Sequence, residues 1–491
     1  MMRTVFTGLM LLSGAALAEI PKQPNIVILF ADDLGYGDLG SYGHPYIRTP
    51  NLDRLAAEGQ RWTDFYAPAP VCSPSRGALL TGRLPNRTGL YGRQVAVLFP
   101  NDAHGMPAEE VTMAEALRDV GYATGIVGKW HLGDAPDTLP TRHGFDYWYG
   151  VPYSNDMDWV GEPDFDEVRR MQAEGKTEAL GAMMAGRMQK WLNPKQAYWA
   201  PPVLRSSRTA DGYADEEVQR PADQKHLTRN YTQEALAFID RNRKRPFLLY
   251  VPYSMPHTPI FRSDAFEDVS LGGRYGDVIE ELDWSVGQIA EKLEALDLAE
   301  RTLVVFTSDN GPWLLMQTHG GSAGLLSNGK GTTFEGGMRV PAVFWWPGTI
   351  KPGAISGIGS AMDLFATALA LGGADASSGT DAEDLTDTLT QGAPSPRELL
   401  YYYRGGELRA VRKSRYKLSF VSMGAYGMPP ERAEHETPHL YDLHEDPGER
   451  YDIAAKLPDV VADILEDVKQ HRAGLNEKPP IFDARLTSSS P

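Results

Sequence analysis

The chain has 491 residues and a formal net charge of −17, enough length for one large domain and a smaller one. That acidity excludes nucleic acid and anionic membrane surfaces as partners, because both are bound through clusters of Lys and Arg. A single cysteine excludes an intramolecular disulfide.

The first element is a leader. Arg3, an apolar run from Val5 to Leu12 and Ala16-Leu17-Ala18 ahead of Glu19 read as a signal peptide over residues 1–18, too short to span a bilayer. This predicts an exported protein, periplasmic or secreted. No later run is long and apolar enough for a membrane span.

Short apolar, β-branched runs follow at Ile26–Phe30, Ala123–Val127, Phe247–Val251 and Leu303–Thr307. Helical patterns lie between them at Asn51–Glu58, Ala108–Val120 and Val278–Leu296. The alternation predicts an α/β fold, a large mainly parallel sheet sandwiched by helices. A polar, mixed stretch over 161–221 interrupts it and is expected to be an insertion shaping the substrate entrance. Residues 376–396, rich in Gly, Ala, Ser, Thr and Asp, are expected to link a domain over 19–375 to a smaller α+β domain over 397–491. In the latter, strands are expected at Leu399–Tyr403, Leu408–Val411 and Tyr416–Val421. A helix is expected at Pro458–Arg472, with its proline in the first turn.

Each early strand is followed by polar residues: Asp32 and Asp33, Lys129 and His131, His257, then Asp309 and Asn310. Ligands of open α/β sheets bind beyond the carboxyl ends of the strands, so four segments converge on one edge. Two adjacent carboxylates beyond a buried strand repel each other unless a cation binds.

The lone cysteine sits in Cys72-Ser73-Pro74-Ser75-Arg76. Ser73 is predicted as an N-cap and Pro74 as the first helical residue, which puts Cys72 just before a helix N-terminus that favours anions. Arg76, one turn on, is placed to return beside it. A bare thiol there would be a nucleophile of lowered pKa. A phosphatase-like thiolate cradle needs Arg six residues after Cys, where Ala78 stands.

The pattern C-x-P-x-R-x4-T-G from Cys72 to Gly82 resembles the signature of the type I sulfatases of the alkaline phosphatase superfamily. The resemblance covers nearly the whole mature chain. It runs through 25–37, Gly128-Lys-Trp-His-Leu-Gly, Pro152-Tyr-Ser-Asn-Asp, Pro256-His-Thr-Pro, Ser308-Asp-Asn-Gly, 329–341 and Leu440-Tyr-Asp-Leu with Asp446-Pro-Gly-Glu. It is most similar to the arylsulfatase A and N-acetylgalactosamine-6-sulfatase branch. The resemblance implies that a formylglycine-generating maturation enzyme converts Cys72 to Cα-formylglycine. The hydrate of that aldehyde attacks sulfur, and its second hydroxyl then expels sulfate by C–O cleavage. It also implies a site for Ca²⁺, or Mg²⁺, at Asp32, Asp33, Asp309, Asn310 and a formylglycine oxygen, an all-oxygen set that suits hard cations.

Further roles carried by the resemblance are these. Arg76 and Lys129 position and acidify the diol, and Lys129 and Lys330 hold sulfate oxygens. His257 serves the leaving oxygen, Asp309 is the base for the attacking hydroxyl, and His131 takes the proton in the elimination. Ser154 contacts the sulfate. His104, His143 and Asn155 are weaker candidates for substrate contacts. The expected reaction hydrolyses a sulfated small molecule or saccharide to inorganic sulfate and an alcohol. A phosphonate monoester or phosphodiester hydrolase of the same superfamily, or a catalytically silent binding relative, is the alternative. The match of the His257 and Lys330 segments favours sulfate.

Overall fold

The run Asn25–Ala31 forms strand β1, buried along its length, as its apolar composition demands. Ten more strands join it in one sheet: β2 (Gln60–Tyr66), β3 (Ala123–Val127), β4 (Tyr147–Gly150), β5 (Val203–Thr209), β6 (Gly212–Gln219), β7 (Phe247–Pro252), β8 (Thr302–Ser308), β9 (Arg339–Trp345), β10 (Gly353–Ile355) and β11 (Gly359–Ser360). The computed structural model describes residues 20–375 and 379–486, so the expected signal peptide lies outside the described residues.

The order is β10-β2-β9-β8-β1-β7-β3-β4-β5-β6, with β11 beside β2. The five central strands β8-β1-β7-β3-β4 are parallel, and β9, β5 and β6 run antiparallel to their neighbours. Side chains alternate across β1. Val27, Leu29 and Ala31 share a core layer with Leu282, Val286 and Ile289 of the helix Gly273–Ala295. Ile26, Ile28 and Phe30 share the opposite layer with Leu79 and Leu80 of the helix Cys72–Thr81 and Phe365 of the helix Asp363–Gly372. Each such side chain contributes roughly 1.5–3 kcal/mol by burial, which fixes the strand register on both faces.

The second sheet is antiparallel: β12 (Leu399–Arg404), β13 (Glu407–Lys413), β14 (Tyr416–Ser422) and β15 (Ala433–Asp442). It packs with the helix Pro458–Gly474 through Leu418, Leu440, Ile464 and Val468, and the same cluster takes in Leu84 and Met362 of the first domain.

Three expectations are adjusted. The helix expected from Ala108 starts at Met113, because Thr112 and Glu115 close a reciprocal capping box. Only the first part of 161–221 is an excursion, as helices Phe165–Ala173 and Thr177–Leu192. The rest is β5 and β6, which extend the large sheet. The segment 376–396 carries the helix Thr386–Gln391, with Leu385 and Leu389 buried in the large core. Asp381 accepts from Leu84 N–H at 2.9 Å and pairs with Arg87, so this segment is packed against the first domain.

Candidate active site

The carboxyl ends of β1, β3, β4, β7 and β8 lie along one edge, and each delivers polar residues to it. Asp32 and Asp33 follow β1, Lys129 and His131 follow β3, Ser154 follows β4, His257 follows β7, and Asp309 and Asn310 follow β8. Because β9 is antiparallel, the segment that enters it brings Lys330 to the same edge. β2, parallel to its neighbours β10 and β11, leads into the helix that starts at Cys72.

The backbone beyond β3 explains how Lys129 and His131 arrive. Gly128 has φ +136°, and a Cβ there would lie 1.9 Å from Pro252 O. That close approach lets Lys129 N–H donate to Pro252 O at 2.7 Å and His131 N–H to Pro152 O at 2.9 Å, stitching the segment between the ends of β7 and β4.

Cys72 is the first helical residue, with Val71 at the N-cap. Ser73 is therefore not the cap that its residue type suggests. Its hydroxyl accepts instead from Leu98 N–H at 3.2 Å, tying the cavity wall to the helix. The Cys72 Sγ lies 3.5 Å from Asp32 Oδ1, and burial pushes its thiol well up, with Lys129 and Lys330 only partly opposing. A reactive thiolate is disfavoured here.

Arg76 does not hydrogen-bond Cys72. Its Nε and Nη2 donate to Asp309 Oδ2 at 3.0 and 2.7 Å, its Nη1 to Lys129 O at 3.2 Å, and it lies 3.6 Å from Asp32. Lys129 Nζ donates to Asp32 Oδ2 at 2.5 Å and Ser154 Oγ at 3.3 Å. Lys330 Nζ lies 2.7 and 2.8 Å from the two oxygens of Asp33 and 4.6 Å from the Trp313 ring centre. Asn310 Nδ2 donates to Asp33 Oδ1 at 2.7 Å, and Asp33 N–H donates to Asp309 Oδ1 at 3.1 Å.

These contacts set the charges. Burial would raise the Asp32 carboxyl, but Lys129, His257, Arg76 and Lys330 outweigh it and hold the group well below the usual range. Asp309 is pushed up to about 7 by burial and then by Asp32, with Arg76 opposing. Burial also works against charge on Lys330, yet Asp33 outweighs it and holds the ammonium firmly protonated.

The two histidines are kept neutral, by burial first in both cases. Lys129 and Arg76 add to it at His131, and Lys330 does so at His257. His131 Nε2 is 2.9 Å from Leu98 O, which fixes the proton there. Its buried Nδ1 has no partner among the described residues, so that lone pair is available. His257 Nδ1 is 2.6 Å from Thr258 O, which fixes the proton there, and Nε2 lies 3.5 Å from Ser154 Oγ and 3.7 Å from Asp33.

Ligand atoms of Asp32, Asp33, Cys72 and His257 all lie within 4.8 Å of one another. Asn310 Oδ1 beside them is buried and partnerless among the described residues, an unsatisfied oxygen that a hard cation would take. Asp309 stands at the margin of this group, its oxygens already accepting from Asp33 N–H and Arg76. Three carboxylates, one of them raised to about 7, face three cationic side chains, so the cluster is not net negative. A divalent ion would leave the cluster net positive, as an anionic substrate requires.

A cavity of about 390 Å³ opens onto Cys72, His131, His257 and Lys330. Its walls include Phe165, Trp191, Trp313 and Tyr426. The two helices of the excursion thus line the entrance. Trp313 and Tyr426 had no place in the sequence reading. Trp313 follows Asp309-Asn310-Gly311-Pro312 directly, a signal within reach. Tyr426 comes from the loop between β14 and β15, and no local pattern marks it. His104, beside Asp102, and His143, stacked on Trp130, lie off the cavity lining, as does Asn155, which donates to Gln224 and Pro259 O.

Comparison with known proteins gives matches along the chain. The family profile described as Sulfatase matches residues 24–374, and the one described as C-terminal region of aryl-sulfatase matches 395–491. The chain is 40% identical to arylsulfatase A of Bos taurus over 99% of its own length and 93% of that protein. It is 38% identical to N-acetylgalactosamine-6-sulfatase of Sus scrofa, over 94% of this chain and 88% of the other. Among solved structures, the PsFucS1 sulfatase from Pseudoalteromonas superposes with a TM-score of 0.78 at 28% identity, covering 92% of this chain and 90% of that one.

Proposed function

This chain belongs to the sulfatase family and is a sulfuric ester hydrolase, and we propose that Cys72, matured to Cα-formylglycine, is the centre of its chemistry. The observation that carries this reading is the placement of Cys72 at a helix start, within one buried cluster of carboxylates, lysines and histidines. In the proposal Asp32, Asp33, Asn310 and Asp309 hold a divalent cation, Ca²⁺ or Mg²⁺, which supplies positive charge for sulfate oxygens and acidifies a neighbouring hydroxyl. The hydrated aldehyde supplies a hydroxyl for attack on sulfur and a second one through which sulfate is released.

The side chains divide the remaining work. Lys129 and Lys330 bind sulfate oxygens as point charges, with Ser154 alongside. Arg76 keeps Asp309 aligned and opposes the rise in its pKa, so that its carboxylate can act as the base. His257 presents Nε2 to the leaving oxygen and donates a proton there once protonated. His131 offers its free Nδ1 as the acceptor of the last proton. The aromatic walls suit a flat aryl group or a sugar face. The proposed substrate is therefore a sulfated small molecule or saccharide, the proposed partner a formylglycine-generating enzyme, and the proposed destination the periplasm or exterior after removal of residues 1–18. No helix among the described residues is long and apolar enough to cross a membrane.

Mass spectrometry of the Cys72 peptide from active enzyme tests the centre of this reading. Conversion lowers the peptide mass by about 18 Da, whereas ordinary thiol oxidation raises it. Turnover of 4-nitrophenyl sulfate is expected to vanish in Cys72→Ala and to exceed turnover of a phenyl phosphonate ester in the wild type. Active enzyme carrying only unmodified thiol, or faster phosphonate cleavage, sinks the proposal.

A further inference from the structure

A second cavity, of about 550 Å³, lies beside the first and shares Gln94, Ala96 and Tyr426 with it. Four arginines line it: Arg93, Arg404, Arg409 and Arg432. Three of them are matched by carboxylates. Arg409 and Arg432 pair with Glu407 at 2.7 and 2.9 Å, and Arg93 pairs with Glu477 at 3.2 Å.

Arg404 differs. Its Nε donates to Gly331 O at 3.1 Å, and neither terminal nitrogen has a protein partner among the described residues. It is half-buried, and no carboxylate among the described residues offsets the cost of burying its charge. Burial and then Arg409 work against its protonation, with only the Tyr426 phenol opposing. An unpaired guanidinium in a cavity is stabilised by any oxyanion that reaches it, most of all by a bidentate one. Gly331, whose carbonyl orients Arg404, directly follows Lys330, and its Cα is so close to Tyr426 that a Cβ there would lie 2.9 Å from the ring. The Arg404 cavity thus adjoins the Lys330 side of the candidate active site.

We propose that the Arg404 cavity is a second oxyanion subsite, binding a further sulfate or carboxylate group of the substrate whose sulfate ester lies at Cys72. The substrate is then a multiply anionic saccharide. This rests on the hydrolase reading above.

The test is calorimetric titration of full-length Cys72→Ala protein with Ca²⁺ present, so that no turnover occurs. The probes are N-acetylgalactosamine 6-sulfate, its 4,6-disulfate, and the 6-sulfate linked to glucuronic acid. At least one of the two doubly anionic probes is expected to bind about tenfold or more tighter than the monosulfate, and which one does so tells sulfate from carboxylate. In a background of Arg404→Gln that gain disappears while monosulfate affinity stays within about twofold, and Arg404→Lys keeps part of it. The proposal is overturned by no gain in the parent protein, by a gain that survives Arg404→Gln, or by equal loss of all three probes. Turnover of 4-nitrophenyl sulfate by the matured enzyme is scored separately. Its absence with the binding gain intact would sink the hydrolase reading and leave the subsite standing.

Discussion

Asn310 Oδ1 and His131 Nδ1 are buried and have no hydrogen-bond partner among the described residues. An orphaned buried acceptor costs about 1–3 kcal/mol, a cost that a cation at Asn310 or a proton at His131 would offset. If Asn310 completes a cation site with Asp32 and Asp33, a chelator lowers the melting temperature and restored Ca²⁺ returns it. Binding at about a hundred times Kd is worth about 2.7 kcal/mol. Differential scanning calorimetry checks this, and Asp33→Asn is expected to lose most of the response.

His143 is a different case, a buried imidazole stacked on Trp130. Burial, more than its neighbours Asp137 and Arg142, lowers its pKa to about 4. Between pH 6.5 and 4 the unfolded chain therefore binds a proton that the folded one excludes. The contribution is complete above 6.5 and is lost as pH falls toward 4, by about 3 kcal/mol. His143→Phe removes this dependence. Denaturant unfolding at pH 7 and pH 4 should show the wild type losing that amount relative to the variant, and parallel curves would refute it.

Among the elements, the join between the two sheets carries a buried ionic layer. Lys417 on β14 bridges Glu335 at 3.1 Å and Glu449 at 2.7 Å, and donates to Thr333 O at 2.8 Å. Tyr66 and Tyr402 donate to the two oxygens of Glu335, and Arg412 on β13 pairs with Asp64 on β2. Lys417 thus anchors the segment that begins with Lys330. Lys417→Met leaves two buried carboxylates facing each other, and is expected to cost about 3–5 kcal/mol in denaturant unfolding. Because the Lys330 segment loosens, KM for 4-nitrophenyl sulfate is expected to rise more than kcat falls. An unchanged midpoint and KM would show that the layer is not a clamp.

Taken as one body, the protein does not divide cleanly at the end of its large domain. Leu84 and Met362 complete the core of the small domain, and Asp483 near the end of the described chain accepts from the backbone N–H groups of Arg93, Gln94 and Val95 at the cavity mouth. A chain ending at residue 396 would expose that apolar surface and strand Glu335 without its lysine. It is expected to be recovered as aggregate, without turnover of 4-nitrophenyl sulfate, as gel filtration and assay would show.

Periodicity and composition were enough to read the parallel core, because β1, β3, β7 and β8 are buried on both faces and therefore carry mostly apolar, β-branched runs. Strand ends followed by Asp, Lys, His and Asn made the polar edge legible too, since parallel strands all deliver their carboxyl ends to one side. Ser73 misled because hydroxyl capping is a preference that a tertiary partner, Leu98 N–H, displaces. β5 and β6 were hidden by their polarity: they extend the edge of the sheet, and most of β6 is exposed. Tyr426 and Arg404 were hidden for another reason. They lie in the small domain, far along the chain from Lys330, and acquire meaning only through the packing of one domain on the other. Local chemistry is written in neighbouring residues, whereas a cavity wall and an unpaired charge are properties of segments that meet after folding.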